Sequence, residues 1–445
     1  MVEKAAKPLK KGGQKLVKIA IVAPYSPRWN NIASVRWEKF AKYLSKDHSV
    51  YLITSCFPDR RSFREFNLGN ANLVEIPLKY FKHNPYSRHS NDPSTETQVI
   101  SGAIRKIKAE LRPILEKFLP VSSGGVLLHD YGAYFVELDK IISSSERTIL
   151  ITTYDPWFSL RLGNYFKRRY PNRVIWFADF RDPSFDIAES VVTKLNLYKY
   201  LTKRILTVAD GILVVTKQML ETYQRMCGQK VFFLPNGYDG QFSLRIDSQG
   251  QNESLKIVYT GSFYPKTREI TWFIHALLKL KQKEDSVFSK LKFIYAGKDF
   301  AYVQRLFERF SLLDLLENHG FVSRDEALNV QNKADLLLLI AYTGDDPEEG
   351  ISVRTGKVYE YLATGKPILT IAPKNWEMRE ELESDGVSRV FERSESEEIA
   401  NYIAWFFEER RQIDLKRREE VVRQYLYENL SKRLEEIIQA VLRRA

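Results

Sequence analysis

The chain has 445 residues, a formal net charge of +12 and a hydrophobic content of 44%. This length is too great for one core, so two domains are expected, and the apolar residues suffice to fill both. Its two cysteines, Cys56 and Cys227, exclude a disulfide framework and indicate a reducing compartment. The longest apolar runs are far shorter than the ~20 residues of a membrane span, and the basic start lacks the apolar segment of a secretory signal.

The positive charge is concentrated in the first part of the chain. Residues 1–250 contain 38 Lys and Arg residues against 23 Asp and Glu residues, whereas the rest of the chain is slightly acidic. This asymmetry indicates an anionic partner for the first part, such as an anionic membrane surface or an acidic polymer. The sequence contains no motif that reads nucleic acid, so nucleic acid is not an expected partner.

Predicted strands and helices alternate along the first half of the chain. A flexible basic tail covers residues 1–17. The stretches that follow are typical of buried parallel strands: KIAIVAP, HSVYLITS, NLVEIPL, TILITTYD, VIWFADF and GILVVT. ASVRWEKFAKYLSKD is a predicted helix between the first two strands. We expect these elements to form a first domain over residues 18–240, followed by the polar linker LRIDSQGQNESLK.

The same alternation begins again in the second half. KIVYTGSF, LKFIYAGKD, GFVS, ADLLLLIAY and PILTIA are predicted strands, and ITWFIHALLKLKQK is a predicted helix. We expect a second domain over residues 255–395 and a helical tail over residues 396–445, which packs on the first domain or dimerises. The predicted fold class is α/β, with two Rossmann-like parallel-sheet domains that face a cleft.

One helix of the second domain has the features of an anion site. In RTGKVYEYLATGKPIL, residues 354–369, the apolar spacing predicts a helix that ends at Gly365. Because a strand precedes it, its N-terminus is expected at the carboxyl edge of the sheet, where free N–H groups favour an anion. Gly356 permits close approach, and Arg354 and Lys357 add positive charge. Glu360 follows about 6 Å along the axis, roughly the distance from a nucleotide diphosphate to its ribose. An ordinary basic pair and a solvated glutamate are the alternative.

The order of the motifs resembles a known family. The similarity to the retaining glycosyltransferases of family 4, which have the GT-B fold, covers most of residues 18–395. It rests on KIAIVAP, FADFRDP, ADGILVVT, FLPNGYD, VYTGSFY, FIYAGK, HGFVSRDEAL and GKVYEYLATGKPIL. The nearest likeness is to bacterial members that build surface polysaccharides. The resemblance implies a nucleotide-sugar donor in the second domain, a glycan or lipid-linked acceptor in the first, and hexosyl transfer without a cofactor or a metal ion.

The family pattern assigns the donor site. Glu360 matches the glutamate that binds the ribose hydroxyls, and Val322 lies where the backbone reads the base. Gly261 and Ser262 match the loop that meets the phosphates and the sugar. The resemblance implies that the diphosphate is bound around the residues that open the helix: Arg354, Thr355, Gly356 and Lys357.

Two features of this assignment stay open. The cation that offsets the leaving-group charge is Lys266 or Arg268. Family members often carry a second glutamate that falls here at Ser352, and either glutamate of the GDDPEEG stretch, Glu348 or Glu349, is a candidate to replace it. An acidic Mg²⁺ site in GDDPEEG is the alternative interpretation.

In the first domain, FADFRDP places Arg181 and Asp182 at a strand end, where many relatives have a histidine that contacts the donor sugar. The arginine would stabilise phosphate charge, and the aspartate would meet a sugar hydroxyl or the oxocarbenium-like centre. The alternative is a structural Arg–Asp pair. Other loops at strand ends provide candidate acceptor-side contacts: Asn30, Ser34, Arg36 and Asp155.

The sequence therefore predicts a retaining glycosyltransferase of polysaccharide or glycoconjugate synthesis. We expect it in the cytoplasm, and its basic first half indicates a peripheral position at the inner face of the membrane. A non-catalytic nucleotide- or carbohydrate-binding protein is one alternative, which Ser352 favours. A nucleotide-sugar epimerase with the same fold is the other.

Overall fold

The computed structural model describes residues 17–29, 32–81, 127–182, 197–239, 254–409 and 414–444. Residues 1–16 of the predicted basic tail, Asn30 and most of the predicted linker lie outside these ranges. The chain divides into two compact units. The first unit comprises Met1–Leu213, Met226–Phe232 and Glu435–Ala445, and the second comprises Val214–Arg225 and Phe233–Leu434.

Nine described strands belong to the first half of the chain. They are β1 (Lys18–Val22), β2 (Ser49–Cys56), β3 (Asn72–Pro77), β4 (Tyr80–Phe81), β5 (Leu127–Leu128), β6 (Thr148–Tyr154), β7 (Val174–Phe180), β8 (Gly211–Val214) and β9 (Val231–Phe233). Seven of them form one sheet in the order β3-β2-β1-β6-β7-β8-β9, and β4 pairs with β5. The pairings of β1, β2, β3, β6 and β7 are parallel.

Described helices alternate with these strands. They are α1 (Ile32–Leu44), α2 (Tyr131–Ser143), α3 (Trp157–Arg169), α4 (Leu197–Leu206) and α5 (Lys217–Cys227). Every residue of β6 and β7 is buried, which explains why their sequences, TILITTY and VIWFADF, do not alternate regularly between apolar and polar residues. The strand order places β1, β6 and β7 side by side, so the loops at their carboxyl ends are neighbours.

A six-stranded sheet forms the second unit. Its strands are β10 (Leu255–Thr260), β11 (Leu291–Ala296), β12 (Leu316–Gly320), β13 (Leu336–Ile340), β14 (Ile368–Ile371) and β15 (Arg389–Phe391). They pair in the order β12-β11-β10-β13-β14-β15, and all five pairings are parallel. The predicted strand in GFVS is wrong, because the strand is the preceding LENHG stretch, at the edge of the sheet.

The helices of the second half cover both faces of this sheet. They are α6 (Thr271–Lys283), α7 (Asp285–Phe288), α8 (Phe300–Arg309), α9 (Arg324–Asn332), α10 (Pro347–Gly350), α11 (Gly356–Ala363), α12 (Arg379–Glu383), α13 (Ser396–Glu409), α14 (Leu415–Arg423) and α15 (Tyr427–Leu442). One apolar core includes residues of α6, α8 and α13, and the other includes residues of α9, α11 and α14. None of the described helices is long and apolar enough to cross a membrane.

Helix α11 confirms the prediction made from its spacing. Val358, Tyr361 and Leu362 are buried, and Gly365 adopts a φ of 69° just after the helix. Glycine takes this left-handed conformation without a Cβ penalty, so it terminates the helix before β14. The two parallel sheets and the helices after residue 395 confirm the predicted α/β fold class, two Rossmann-like domains and helical tail.

Candidate functional site

Loops at the carboxyl edge of the second sheet lie close together. The loop after β10 contacts α11, because a Cβ added to Gly261 would lie 3.0 Å from the Nζ of Lys357. The loop after β13 meets the same segment, since the Thr343 N–H donates to the Thr267 carbonyl at 2.7 Å. In an open parallel sheet this edge is where ligands bind.

The N-terminus of α11 has unsatisfied hydrogen-bonding capacity. Thr355 is the N-cap residue, yet its side chain makes no capping hydrogen bond. The residue is 7% exposed, and its Oγ1 has no hydrogen-bond partner among the described residues. Buried polar atoms are rarely left unpaired. A free hydroxyl beside the free N–H groups of a helix N-terminus is therefore an arrangement that suits an anion.

Gly261 allows the β10 loop to approach this helix end. Its φ is 105°, which side-chain-bearing residues rarely adopt, and its N–H donates to the Ala296 carbonyl at 2.7 Å. The added Cβ would crowd Lys357, so glycine is required both for its conformation and for the space. The family resemblance assigned this glycine to the loop that meets the phosphates and the sugar, and its contact with Lys357 became visible only in the structure.

Lys357 lies at the first turn of α11 and is partly buried. Its Nζ donates a hydrogen bond to the Tyr259 hydroxyl at 2.8 Å and lies 4.1 Å from the centre of that ring. Burial and, to a smaller extent, the nearby charge of Arg268 lower the pKa of Lys357 to about 7. Lys357 makes no salt bridge within the described part of the chain. A cation that lacks a carboxylate partner has its charge available for a bound anion.

Glu360 lies one turn further along α11 and is paired with a residue of α9. The Arg324 Nη2 donates to its Oε1 at 2.6 Å, and the two side chains are 36% and 20% exposed. The carboxylate therefore remains accessible at the same edge as Lys357. Val322 lies just before α9 and packs against the second core cluster of this unit.

Arg354 is positioned differently from Lys357. Its side chain is 2% exposed and is paired with Glu377, while its Nη1 donates to the Tyr425 hydroxyl at 3.3 Å. It also packs over the Phe233 ring at 5.2 Å. Its charge is thus matched by an internal carboxylate, and its part in diphosphate binding stays a prediction.

The loop after β10 carries the other predicted cations. Lys266 is exposed and has a φ of 73°, and its N–H donates to Glu269 Oε1 at 2.8 Å. Arg268 is partly buried and packs over the Tyr264 ring at 4.9 Å. The Ser262 carbonyl accepts a hydrogen bond from the Tyr259 hydroxyl, which ties this loop to the residue that holds Lys357.

The GDDPEEG loop does not gather its carboxylates around one point. Glu349 accepts a hydrogen bond from the Tyr342 hydroxyl at 2.8 Å, whereas Asp345 pairs with Arg393 at 2.9 Å. Glu348 lines a cavity of about 170 Å³ together with Ile351, and Ser352 follows as a partly buried residue. No group of three or more His, Cys, Asp or Glu side chains in the described ranges could hold a metal ion.

A second polar cluster lies in the first unit, at the ends of β1, β6 and β7. The Tyr25 hydroxyl donates to Asp155 Oδ2 at 3.0 Å. Arg181 packs over the Tyr25 ring at 5.5 Å, and its Nη2 lies 3.5 Å from the Asp155 carbonyl oxygen. Asp182 is exposed. The structure thus brings Arg181 to Asp155, two residues that the sequence predicted separately.

Two other residues predicted on the acceptor side have internal partners. Arg36 is fully buried and pairs with Asp179 at 2.9 Å, and Asp179 also accepts from Trp37 and Thr153. The Ser34 hydroxyl donates to the Trp29 carbonyl at 2.8 Å. These contacts tie α1 to the sheet, and a contact of either side chain with an acceptor stays a prediction. Asn30 lies outside the described residues.

Sequence reasoning missed Tyr25, Tyr259 and Arg324. Tyr25 directly follows the strand motif KIAIVAP, so its position at a strand end was a usable signal. Tyr259 looked like an ordinary strand residue within KIVYTGSF. Arg324 is 36 positions before Glu360, and no spacing rule connects two residues so far apart on different helices.

A comparison with protein families matches the second unit. Residues 254–409 match a family model described as Glycosyl transferases group 1, which covers the second sheet and its loops. No curated protein matches the chain.

Solved structures resemble the whole fold. Sucrose-phosphate synthase from Thermosynechococcus elongatus is 13% identical, with 96% of this chain and 100% of that chain covered and a TM-score of 0.63. HepE from Anabaena, in complex with UDP and glucose, is 14% identical, with coverages of 95% and 99% and a TM-score of 0.55. WaaG, a glycosyltransferase involved in lipopolysaccharide biosynthesis, is 12% identical, with coverages of 94% and 99% and a TM-score of 0.52. At these identities the likeness shows the shared GT-B fold.

Proposed function

We propose that the protein is a glycosyltransferase that transfers a sugar from a nucleotide-diphosphate sugar to a hydroxyl acceptor with retention of anomeric configuration. The observation that carries the proposal is the arrangement on α11. An unpaired Thr355 hydroxyl and Lys357, which has no salt bridge in the described ranges, lie at its N-terminus, and Glu360 follows one turn later. This sequence of groups matches a diphosphate followed by a ribose diol. The family match over residues 254–409 supports the same assignment.

The proposed reaction needs no nucleophile from the protein. The bond between the anomeric carbon and the diphosphate oxygen breaks, and the acceptor oxygen bonds to the same face of that carbon. The acceptor proton passes to the leaving phosphate oxygen. The protein's contribution is then to orient the substrates and to stabilise the negative charge that develops on the leaving group. Arg268 lies close enough to lower the pKa of Lys357, and both side chains would face that charge.

The acceptor assignment rests on the first unit. We assign the cluster of Tyr25, Asp155 and Arg181 to the acceptor and the donor sugar. In open parallel sheets, ligands bind at the carboxyl ends of adjacent strands, where these polar side chains lie. We propose a glycan or lipid-linked acceptor, in polysaccharide or glycoconjugate synthesis at the cytoplasmic face of the membrane. We propose that neither a cofactor nor a metal ion takes part, since cationic side chains and helix N–H groups can neutralise the diphosphate.

Calorimetric titration of the full chain tests the donor site. The ligands are UDP, GDP, ADP, dTDP, the corresponding nucleotide sugars and inorganic pyrophosphate. The proteins are the wild type, Glu360→Ala and the control Arg305→Ala. Arg305 is an exposed arginine of α8 that makes no ion pair with the described residues. We expect one nucleotide to bind the wild type and the control equally and to bind Glu360→Ala about tenfold more weakly, which is the typical effect of losing a hydrogen bond to a charged group. Absence of binding by every nucleotide would refute the proposal.

A non-catalytic binding protein is the second candidate. Ser352 favours it, because relatives often carry at this position a glutamate that contacts the donor sugar. The exposed Glu348 lines a neighbouring cavity and is available as a substitute.

Product analysis separates the two candidates. The wild type is incubated with the nucleotide sugar that binds in the titration, with and without a mixture of glycan and lipid-linked acceptors. Transfer that Glu360→Ala and Arg181→Ala both reduce supports the enzyme. Tight binding with no consumption of the nucleotide sugar under any of these conditions supports the binding protein. Conversion of the donor sugar without an acceptor would instead indicate an epimerase.

A further inference from the structure

We infer that Arg324 is a positioning residue that orients the Glu360 carboxylate and thereby sets the preference of this site for ribose over 2′-deoxyribose. The inference rests on the proposed function, because it concerns the same nucleotide site. It gives a role to a residue of the HGFVSRDEAL motif to which the sequence analysis assigned none, and it adds a chemical distinction between two classes of nucleotide.

The pair joins two helices whose relative position is fixed by packing. Arg324 is the first residue of α9, and Glu360 is on α11. Both helices contribute to the same apolar core. The start of α9 is well defined, because Ser323 and Glu326 form a reciprocal capping box. Arg324 therefore approaches Glu360 from a fixed point.

The contact occupies only one side of the carboxylate. Glu360 Oε1 accepts from Arg324, and no hydrogen bond to Oε2 is recorded within the described ranges. A carboxylate oxygen has two lone-pair directions, so Oε2 can accept one or two hydroxyl protons. The hydrogen bond at Oε1 restricts rotation of the carboxylate and so limits the directions in which Oε2 can point. A preformed acceptor discriminates well between a ligand with a hydroxyl and one without it, because the missing hydroxyl leaves the acceptor unpaired.

Arg324 also keeps Glu360 away from a competing cation. Lys357 is three residues earlier on α11, and residues at this spacing lie on the same helix face. A Glu360–Lys357 pair would occupy both the ribose-binding group and the diphosphate-binding cation. In the structure Lys357 instead donates to Tyr259, and Glu360 accepts from Arg324. The arginine thus leaves both groups available to different parts of one ligand.

The test compares ribose with 2′-deoxyribose on four proteins. First, UDP, GDP and ADP and their deoxy counterparts dUDP, dGDP and dADP are titrated into the wild type. The pair of nucleotides that contains the most tightly bound base is then titrated into Arg324→Ala, Arg324→Lys and the control Arg305→Ala. We expect the wild type and the control to prefer the ribonucleotide by about tenfold. Arg324→Ala should lower this ratio to about threefold or less, and Arg324→Lys should restore part of it. Inorganic pyrophosphate should bind all four proteins alike.

Each alternative outcome has a distinct meaning. A wild type that binds no nucleotide, dTDP included, refutes the proposed function and this inference with it. A wild type that binds only deoxyribonucleotides overturns this inference alone. A wild type without a ribose preference, or Arg324→Ala with the wild-type ratio, overturns the role of Arg324 alone. Loss of pyrophosphate binding in Arg324→Ala indicates a structural role and also overturns it. In the Glu360→Ala background, Arg324→Ala should change the ratio no further, because the two residues act as one unit.

Discussion

In the proposed donor site Lys357 would have to be charged to bind a diphosphate, yet its surroundings favour the neutral form. Burial and Arg268 lower its pKa to about 7, and the neighbouring Tyr259 hydroxyl stays protonated because burial raises its pKa well above the usual value. A buried lysine lowers the stability of the folded state but provides a charge that can bind a ligand. Such a compromise between stability and ligand affinity is typical of functional sites.

Replacement of Lys357 by methionine should therefore stabilise the protein and weaken donor binding. We expect Lys357→Met to raise the free energy of unfolding at pH 7 by about 1 kcal/mol, because it removes a desolvated charge and keeps the side-chain volume. Nucleotide binding should weaken by about tenfold or more. Thermal unfolding and calorimetry measure the two effects. Lys333→Met, at an exposed lysine, should change neither, and a destabilised Lys357→Met that binds normally would contradict the functional role.

Donor affinity should also depend on pH through Lys357. In the free protein this group loses its proton at about pH 7, and a bound diphosphate should raise its pKa. Below about pH 7 the lysine is charged in both states, so the affinity should be constant. Above that value binding must take up a proton, and the affinity should fall by up to about tenfold per pH unit. A nucleotide sugar is the suitable probe, since its phosphates do not titrate in this range. Lys357→Met should give a flat profile.

At the scale of residues, the sequence predicts the relative placement of side chains that share one helix. Lys357 and Glu360 share one short motif, and their positions on α11 follow from helical periodicity. Arg324 and Arg36 were beyond its reach, because their partners Glu360 and Asp179 are distant in sequence. A fully buried arginine is also rare, so a charged residue after a strand end is by default assigned to the surface.

At the scale of elements, the turn between β10 and α6 depends on one glycine. Gly261→Ala should cost about 1–3 kcal/mol of stability, because alanine is strained at a φ of 105°. The new methyl group would lie 3.0 Å from the Lys357 Nζ, so donor binding should weaken as well. Gly228→Ala is the matched control, since Gly228 has a φ of 75° but no neighbour within 4 Å. The control should lose stability and keep its affinity, and equal affinities in both variants would contradict the proposed contact.

The contact between α1 and the first sheet depends on a buried ion pair. Arg36→Ala should cost about 3–5 kcal/mol, because it leaves the Asp179 carboxylate buried without a cation. Denaturant unfolding measures this loss. Adding Asp179→Asn should recover part of it, since the uncompensated charge is then removed. Arg181→Ala should change stability by about 1 kcal/mol or less and reduce turnover. A stable Arg36→Ala with impaired turnover would instead return Arg36 to the acceptor side.

The elements themselves were predictable where burial is complete. The sequences of β6, β7 and β13 show no regular polar alternation because both faces of each strand are covered. Strand β12 was not predictable. Its residues LENHG are mostly exposed at the sheet edge, where main-chain pairing with β11 suffices and no hydrophobic pattern is required.

At the scale of the whole molecule, each unit has its own parallel sheet, and the charge is unequal between the two halves of the sequence. The half with the group 1 family match is slightly acidic, although the donor proposed for it is an anion. In the proposed site, the local placement of Lys357, Arg268 and a helix N-terminus would therefore determine anion binding, and net charge would not. The basic half needs a different explanation, because its excess charge exceeds what one small anion can neutralise.

We expect this basic half to hold the protein at anionic membranes. Each Lys or Arg near an anionic surface contributes up to about 1 kcal/mol, so several together would retain the chain without a spanning helix. The full chain should sediment with vesicles that contain phosphatidylserine at about 0.1 M salt and be released at about 1 M, where the Debye length falls from about 10 Å to about 3 Å. Neutral phosphatidylcholine vesicles are the control. Binding that persists at high salt, or that is equal on neutral vesicles, would show that electrostatic attraction is not the cause. If the chain binds neither kind of vesicle, the positive charge of the basic half would instead serve to bind an acidic glycan acceptor. Added salt should weaken that binding in the same way.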